Sequence, residues 1–158
     1  MKQEDKQQNY ELAEKLLSEQ NFAASIIVGA VATVLAATIY GIVVARWDFS
    51  YGFAAVGIGI AVGISMQYLG RGIDTKFAVA AAVYTIAGCL LGNVFRVVSP
   101  LDVFRSDEFL LIAERSVSYV SFVDLVFWFV AVWFAVFLVK RPLSRSERLA
   151  IGMYEFRS

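Results

Sequence analysis

The chain has 158 residues, of which 59% are hydrophobic and 18% are charged, with 14 basic and 14 acidic side chains and no histidine. Soluble domains are about 45–50% apolar and about 25% charged, so this composition excludes an ordinary water-soluble domain. The net charge of zero provides no basic face, and no nucleic-acid partner is expected.

The chain lacks most of the residue types that usually perform catalysis or bind metals. Histidine is the commonest general base and metal ligand, and it is absent. The single cysteine, Cys89, cannot form an intramolecular disulfide, a CxxC redox pair or a cysteine-based zinc site. We therefore expect no metal, no cofactor and no catalytic residue, and a protein that is not an enzyme.

Residues 1–21 are polar and contain neither glycine nor proline, and Tyr10, Ala13, Leu16 and Leu17 recur at helical spacing. Acidic residues outnumber lysines by five to three, unlike the start of a signal peptide. We predict a lead-in helix before the first membrane span. A docking helix for a partner is the alternative interpretation.

Four apolar runs follow, each long enough to cross about 30 Å of hydrocarbon as a helix of about 20 residues. The predicted spans are about 22–45, 51–69, 77–98 and 119–139. The predicted fold class is all-α, a polytopic integral membrane protein with four transmembrane helices in a bundle over residues 22–140. Residues 99–118 form the one long connection, an outer loop, and residues 141–158 form a basic tail.

The second and third spans flank the turn 70–76 and are rich in glycine. Gly59/Gly63 and Gly88/Gly92 are GxxxG pairs, and small residues on one stripe let helix backbones approach closely. We predict a hairpin whose two helices touch through these faces, with Gly57 pointing elsewhere. The glycines assigned to helix packing are Gly29, Gly52, Gly59, Gly63, Gly88 and Gly92.

The turn itself has recognisable helix-end residues. Gly70 or Gly72 is expected to adopt the left-handed conformation that ends a helix, and Asp74 is expected to cap the next one. Ten of the 14 basic residues lie in the N-terminal segment, this turn and the tail. By the positive-inside rule, both termini are predicted to be cytoplasmic.

Asp124 is the clearest anomaly, because it is a carboxylate about five residues inside the fourth span. Ionisable residues inside a membrane normally have a partner and often a function. Arg96, at the outer end of the third span, is the predicted partner, and Arg46 at the end of the first span is a second candidate. A structural ion pair, a polar ligand or proton site, and an Asp that reaches the interface remain alternatives.

Two further predictions concern which faces meet. Asn93 lies beside the small-residue stripe of the third span and is expected to bond across helices. On the fourth span we predict a lipid-facing side and an opposite side that faces the bundle. The first comprises Phe122, Val126, Phe129, Trp133 and Phe137, and the second comprises Ser121, Asp124, Trp128, Ala131 and Ala135.

The glycine-rich hairpin resembles a group of small, poorly characterised bacterial four-span membrane proteins. The similar residues are Gly57-Ile58-Gly59 to Gly63, Gly70-Arg71-Gly72-Ile73-Asp74 and Gly88-Cys89-Leu90-Leu91-Gly92-Asn93, within residues 22–95. Some of those proteins carry a zinc ribbon before the first span, which residues 1–21 lack because they contain no cysteine. The resemblance implies a bacterial inner membrane location and no reaction.

Three functions are compatible with this sequence. The first is a scaffold or accessory subunit that associates with itself or with another membrane protein through glycine faces. The second is an oligomeric channel or transporter with a polar site near Asp124 and Arg96. The third is an immunity or defence component that recognises a protein through loop 99–118. The partners expected in every case are the lipid bilayer and anionic headgroups at the basic tail.

Overall fold

The computed structural model describes residues 3–46, 51–97, 114, 116 and 120–155. The helices assigned there are α1 (Gln3–Ser18), α2 (Phe22–Arg46), α3 (Tyr51–Gly70), α4 (Thr75–Val97), α5 (Phe122–Val139) and α6 (Arg145–Glu155). Helices α2 to α5 are long and apolar enough to cross a membrane. The predicted all-α class with four packed membrane-spanning helices is confirmed.

The helix bounds differ from the sequence-based ones by one to three residues. Helix α4 begins at Thr75, two residues before the predicted start, and α5 begins at Phe122, three residues after the predicted start at 119. Helix α3 extends one residue further, to Gly70. Most of loop 99–118 lies outside the described residues, and so do the last residues of the tail.

The four spanning helices do not pack in chain order. Helix α2 packs extensively against both α3 and α4, and α5 packs against the same two helices. The contact between α3 and α4 is much smaller, so the order around the bundle is α2, α3, α5, α4. The predicted hairpin is therefore corrected, because its two helices are diagonal neighbours whose glycines pack mainly on α2 and α5.

The bundle buries many small and medium side chains together with a few aromatic rings, and it exposes many large apolar side chains. Ile58, Val62, Met66 and Phe77 are almost completely buried. On α5, Ala131 and Ala135 are fully buried, as predicted for the bundle face, but Ser121 is exposed at the helix start. All five residues of the predicted lipid-facing side of α5 are exposed, which confirms that assignment. A bundle with this apolar exterior requires lipid around it.

Helix α2 ends in Arg46, and α1 and α6 pack together at the opposite end of the bundle. Ala13 and Ala150 are fully buried. Two backbone hydrogen bonds join separate segments there: Asn21 N–H donates to Gly70 O at 3.0 Å, and Arg141 N–H donates to Gly72 O at 3.1 Å. The N-terminal segment, the 70–76 turn and the end of α5 thus share one end of the molecule.

The residue that ends α3 in the left-handed conformation is Arg71, with φ of 46°, rather than Gly70 or Gly72. Gly70 and Gly72 are instead required because neighbouring side chains leave no room for a Cβ atom at these two positions. A methyl group on Gly70 would lie 2.6 Å from Ser25 Cβ, and one on Gly72 would overlap the ring of Phe77. Arg71 N–H donates to Gln67 O at 3.1 Å, which closes the helix end.

Candidate functional site

Asp124 lies in the first turn of α5 and completes a capping box. Its Oδ2 accepts a hydrogen bond from the backbone N–H of Ser121 at 2.9 Å. The hydroxyl of Ser121, the N-cap residue, accepts from Val123 N–H at 3.4 Å. The reciprocal bonds satisfy backbone donors that a helix start leaves open, and a carboxylate is favourable at that positive helix end.

This geometry gives Asp124 a different partner from the predicted one. Arg96 lies in the last turn of α4, and no ion pair joins it to Asp124 within the described part of the chain. The side chain of Arg46 lies outside the described residues. The reason is the position of the helix start: with Ser121 as the cap, Asp124 is the third helical residue and not five residues deep. The Ser-x-x-Asp spacing before an apolar run is the sequence signal that identifies this box.

Several glycines receive large side chains from a neighbouring helix. A methyl group on Gly29 would lie 2.9 Å from both Met66 Sδ and the Tyr84 ring. One on Gly92 would lie 2.6 Å from Tyr40 Cδ1. These glycines are notches that accept side chains from α2, α3 and α4.

Two other glycines touch helix backbone directly. A methyl group on Gly59 would overlap the carbonyl oxygen of Ala131, and one on Gly63 would lie 3.0 Å from Ala135 O. The Gly59/Gly63 pair therefore lets α3 and α5 approach backbone to backbone. The other two predicted packing glycines also contact the chain itself: Gly52 lies against the Phe127 ring, and Gly88 against Ile58.

Gly57 differs from these, because a methyl group there would meet no neighbouring atom within 4 Å in the part of the chain that the structure describes. It lies on the outer face of α3, where Phe53 is 63% exposed and Ile64 is 37% exposed. Ala61, one turn beyond Gly57, is partly exposed. We call Phe53, Gly57, Ala61 and Ile64 the α3 outer face.

Polar side chains are buried where α2 meets α4. The hydroxyl of Tyr40 donates to Asn93 Oδ1 at 3.2 Å, which confirms the predicted bond across helices. Thr33 Oγ1 donates to Gly29 O at 2.7 Å and approaches Tyr84 O at 3.4 Å on α4. Ser25 Oγ is also buried, and within the described residues it has no hydrogen-bond partner.

A polar network connects the helix ends on the side of the bundle where α1 and α6 pack together. Glu19 accepts from Arg71 at 3.4 Å and from Arg141 at 2.9 Å, and Arg141 lies 3.7 Å from Glu147. Gln67 Nε2 donates to the carbonyl oxygen of Lys140 at 3.0 Å. The network joins α1, the 70–76 turn and the α5–α6 connection, so it holds α6 against the bundle.

Helix α6 begins with a second capping box, Ser144 and Glu147. Ser144 N–H donates to Glu147 Oε2 at 2.7 Å, and Glu147 N–H donates to Ser144 Oγ at 3.3 Å. The backbone hydrogen bond from Ser144 lowers the pKa of Glu147 below 4.5, helped by the Ser144 hydroxyl and by Arg141. Since this pKa is lowered on folding, the stabilisation is present above about pH 4.5 and is lost as the pH falls through the folded-state value.

A groove of about 700 Å³ runs along the half of α5 nearest to this network. Phe129, Trp133 and Phe137 are among its apolar lining residues, and its cationic lining residues are Lys140, Arg141 and Arg148. We call it the α5 groove. It combines an exposed apolar wall on the spanning helix with cations from the segment that follows this helix.

Comparison of the chain with protein-family models, curated proteins and solved structures gave no match. The resemblance seen in the glycine-rich segments therefore identifies no family, and the four-span architecture is the part of it that the structure supports.

Proposed function

We propose that this protein is a non-enzymatic membrane scaffold or accessory subunit that associates through the α3 outer face. The observation that carries the proposal is the open space at Gly57 among the described residues, since the glycines predicted to mediate packing all contact the chain's own side chains or backbone. Gly57 and Ala61 are four residues apart on an exposed face. Such a pair allows close approach by a second transmembrane helix, in a second copy or in another membrane protein.

The test is the substitution Gly57→Ile, measured by the mass of the purified protein in detergent and in nanodiscs. We expect the wild-type chain to form oligomers or to retain a co-purifying membrane protein. The bulky side chain should weaken this association about tenfold or more, because overpacking a close contact costs roughly 1–3 kcal/mol.

The matched control is Val83→Phe, which enlarges an exposed side chain on α4. It should leave association unchanged, and both variants should unfold at the wild-type temperature. A strictly monomeric wild-type protein with no co-purifying partner would contradict the proposal.

The other two functions receive less support. The polar site proposed for an oligomeric channel or transporter rests on Asp124 and Arg96, and Asp124 bonds Ser121 instead. Liposome flux that depends on Asp124 would favour a channel nonetheless. Recognition of a protein by an immunity component rests on loop 99–118, most of which lies outside the described residues. Deleting that loop while keeping the spans would test this function.

We also propose a bacterial inner membrane location, with both termini cytoplasmic and the basic tail against anionic headgroups. Support comes from the ten basic residues in the segments that share one end of the molecule. A cysteine introduced at Ser158 should react with a membrane-impermeant thiol reagent only after the cells are permeabilised. Labelling of intact cells would reverse the orientation.

A further inference from the structure

We propose that the α5 groove binds one anionic phospholipid, with an acyl chain along Phe129, Trp133 and Phe137 and the phosphate between Lys140 and Arg148. The inference makes the proposed contact of the tail with anionic headgroups specific, and it rests on that contact. It does not depend on association through the α3 outer face.

The apolar part of the groove matches an acyl chain. Phe129 is 70% exposed, Trp133 is 65% exposed and Phe137 is 71% exposed, so three rings stand out from a membrane-spanning helix. They succeed one another at helical spacing and end at Val139, the last residue of α5. The groove volume of about 700 Å³ is within the range of about 300–1,000 Å³ found for ligand sites.

The polar end of the groove carries uncompensated positive charge. Lys140 directly follows the spanning helix, so it lies at headgroup depth. Within the described part of the chain, neither Lys140 nor Arg148 has a carboxylate partner. The neighbouring cations Arg71, Lys76 and Arg141 are all paired with carboxylates. Three cations line the groove, and of these Arg141 is paired, whereas Lys140 and Arg148 have no carboxylate partner among the described residues.

Local hydrogen bonds fix the backbone of Lys140 and the guanidinium of Arg148. The carbonyl oxygen of Lys140 accepts from Gln67 Nε2 at 3.0 Å, which fixes the backbone at the groove's edge. Arg148 Nε donates to Leu143 O at 3.3 Å, which leaves the terminal guanidinium nitrogens for another acceptor. Guanidinium and ammonium groups at a helix end near the headgroups are the usual partners of lipid phosphates.

The test uses Trp133 as a reporter inside the groove. In a Trp47→Phe/Trp128→Phe background, Trp133 is the one remaining tryptophan. The protein is reconstituted in phosphatidylcholine vesicles that contain a minor fraction of phosphatidylglycerol. In one sample the phosphatidylglycerol has brominated acyl chains, and in the other an equal mole fraction of phosphatidylcholine has them. Brominated phosphatidylglycerol should quench Trp133 more strongly, with local enrichment of about tenfold at low salt and less at high salt.

The decisive variant is Lys140→Gln/Arg148→Gln, which should abolish the excess quenching by phosphatidylglycerol. The matched control, Lys15→Gln/Arg145→Gln, removes the same charge from exposed positions that do not line the groove. This control should retain the excess quenching by phosphatidylglycerol, and added inorganic phosphate should not displace the lipid.

Each alternative result has a distinct meaning. Equal loss in both double variants would overturn the groove as a site while supporting general attraction of the tail to anionic lipid. Equal quenching by the two brominated lipids in the parent protein would overturn both the groove as a site and the general attraction of the tail to anionic lipid. Retention of the excess in Lys140→Gln/Arg148→Gln would overturn the assignment of the phosphate to these cations.

Discussion

The contact at Gly92, between α2 and α4, and the contact at Gly59, between α3 and α5, both depend on glycine, but in different ways. Between α2 and α4, Gly92 is a notch for the Tyr40 ring, whose hydroxyl also bonds Asn93. Between α3 and α5, Gly59 lies against the carbonyl oxygen of Ala131. The contact at Gly92 can relax through the Tyr40 side chain, whereas the contact at Gly59 can relax only if a helix backbone moves.

The comparison shows that a GxxxG pair does not specify its own partner. Gly59/Gly63 and Gly88/Gly92 look alike in the sequence and flank one turn. In the folded chain the first pair packs on α5, and the second packs on side chains of α2 and α3. What distinguishes them is the neighbour: the small Ala131 and Ala135 of α5 permit backbone contact, while Tyr40 fills the notch at Gly92.

The largest effect should come from Gly59→Ala. The added methyl group would overlap the Ala131 carbonyl, so α3 and α5 must separate. We expect a loss of roughly 2–3 kcal/mol in the free energy of unfolding, measured by denaturant titration of the monomer in mild detergent.

Gly57→Ala is the control, because it makes the same chemical change two residues away, where the added methyl group meets no neighbouring atom of the described residues within 4 Å. It should leave the stability of the monomer within about 0.5 kcal/mol of wild type. Equal destabilisation by the two substitutions would show that helix propensity, and not backbone contact, determines the cost.

A smaller effect is expected from Tyr40→Phe on the other interface. The change keeps the ring in the Gly92 notch and removes the 3.2 Å bond to Asn93. Buried hydrogen bonds between membrane helices are worth about 1 kcal/mol, and we expect a loss of that size in the same unfolding measurement.

Tyr68→Phe is the matched control, because Tyr68 is 76% exposed and lies on α3. It should have no measurable effect. An unchanged stability in Tyr40→Phe would mean that ring packing, rather than the hydrogen bond, holds α2 against α4.

The membrane architecture could be predicted because apolar runs of about 20 residues separated by polar turns admit few folds in a bilayer. The lipid-facing side of α5 was also readable, since large and small residues alternate at helical spacing. The pairing of helices could not be predicted. Periodicity identifies which face of a helix is buried, but it does not identify the helix against which that face packs. The left-handed conformation of Arg71 could not be predicted either. The glycines on both sides of it looked like the left-handed residues, but they are there because Ser25 and Phe77 leave no room for a side chain.

Asp124 illustrates the same limit at a single residue. Counted from position 119, it is a charge inside the span that needs a partner such as Arg96, whereas counted from Ser121 it is the third helical residue of an ordinary capping box. The Ser-x-x-Asp spacing was available in the sequence, and so was Ser144-x-x-Glu147 at the start of α6. Local capping chemistry therefore locates a helix start better than the edge of an apolar run does.

The smallest effect should come from Asp124→Asn, in the first turn of α5. Losing the carboxylate weakens the capping box and its interaction with the helix dipole, which should cost about 0.5 kcal/mol in unfolding free energy. A double-mutant cycle separates the two possible partners. Asp124→Asn with Ser121→Ala should be non-additive, and Asp124→Asn with Arg96→Gln should be additive within about 0.5 kcal/mol. A coupling above about 1 kcal/mol with Arg96 would restore the ion pair and make Asp124 part of the contact between α4 and α5.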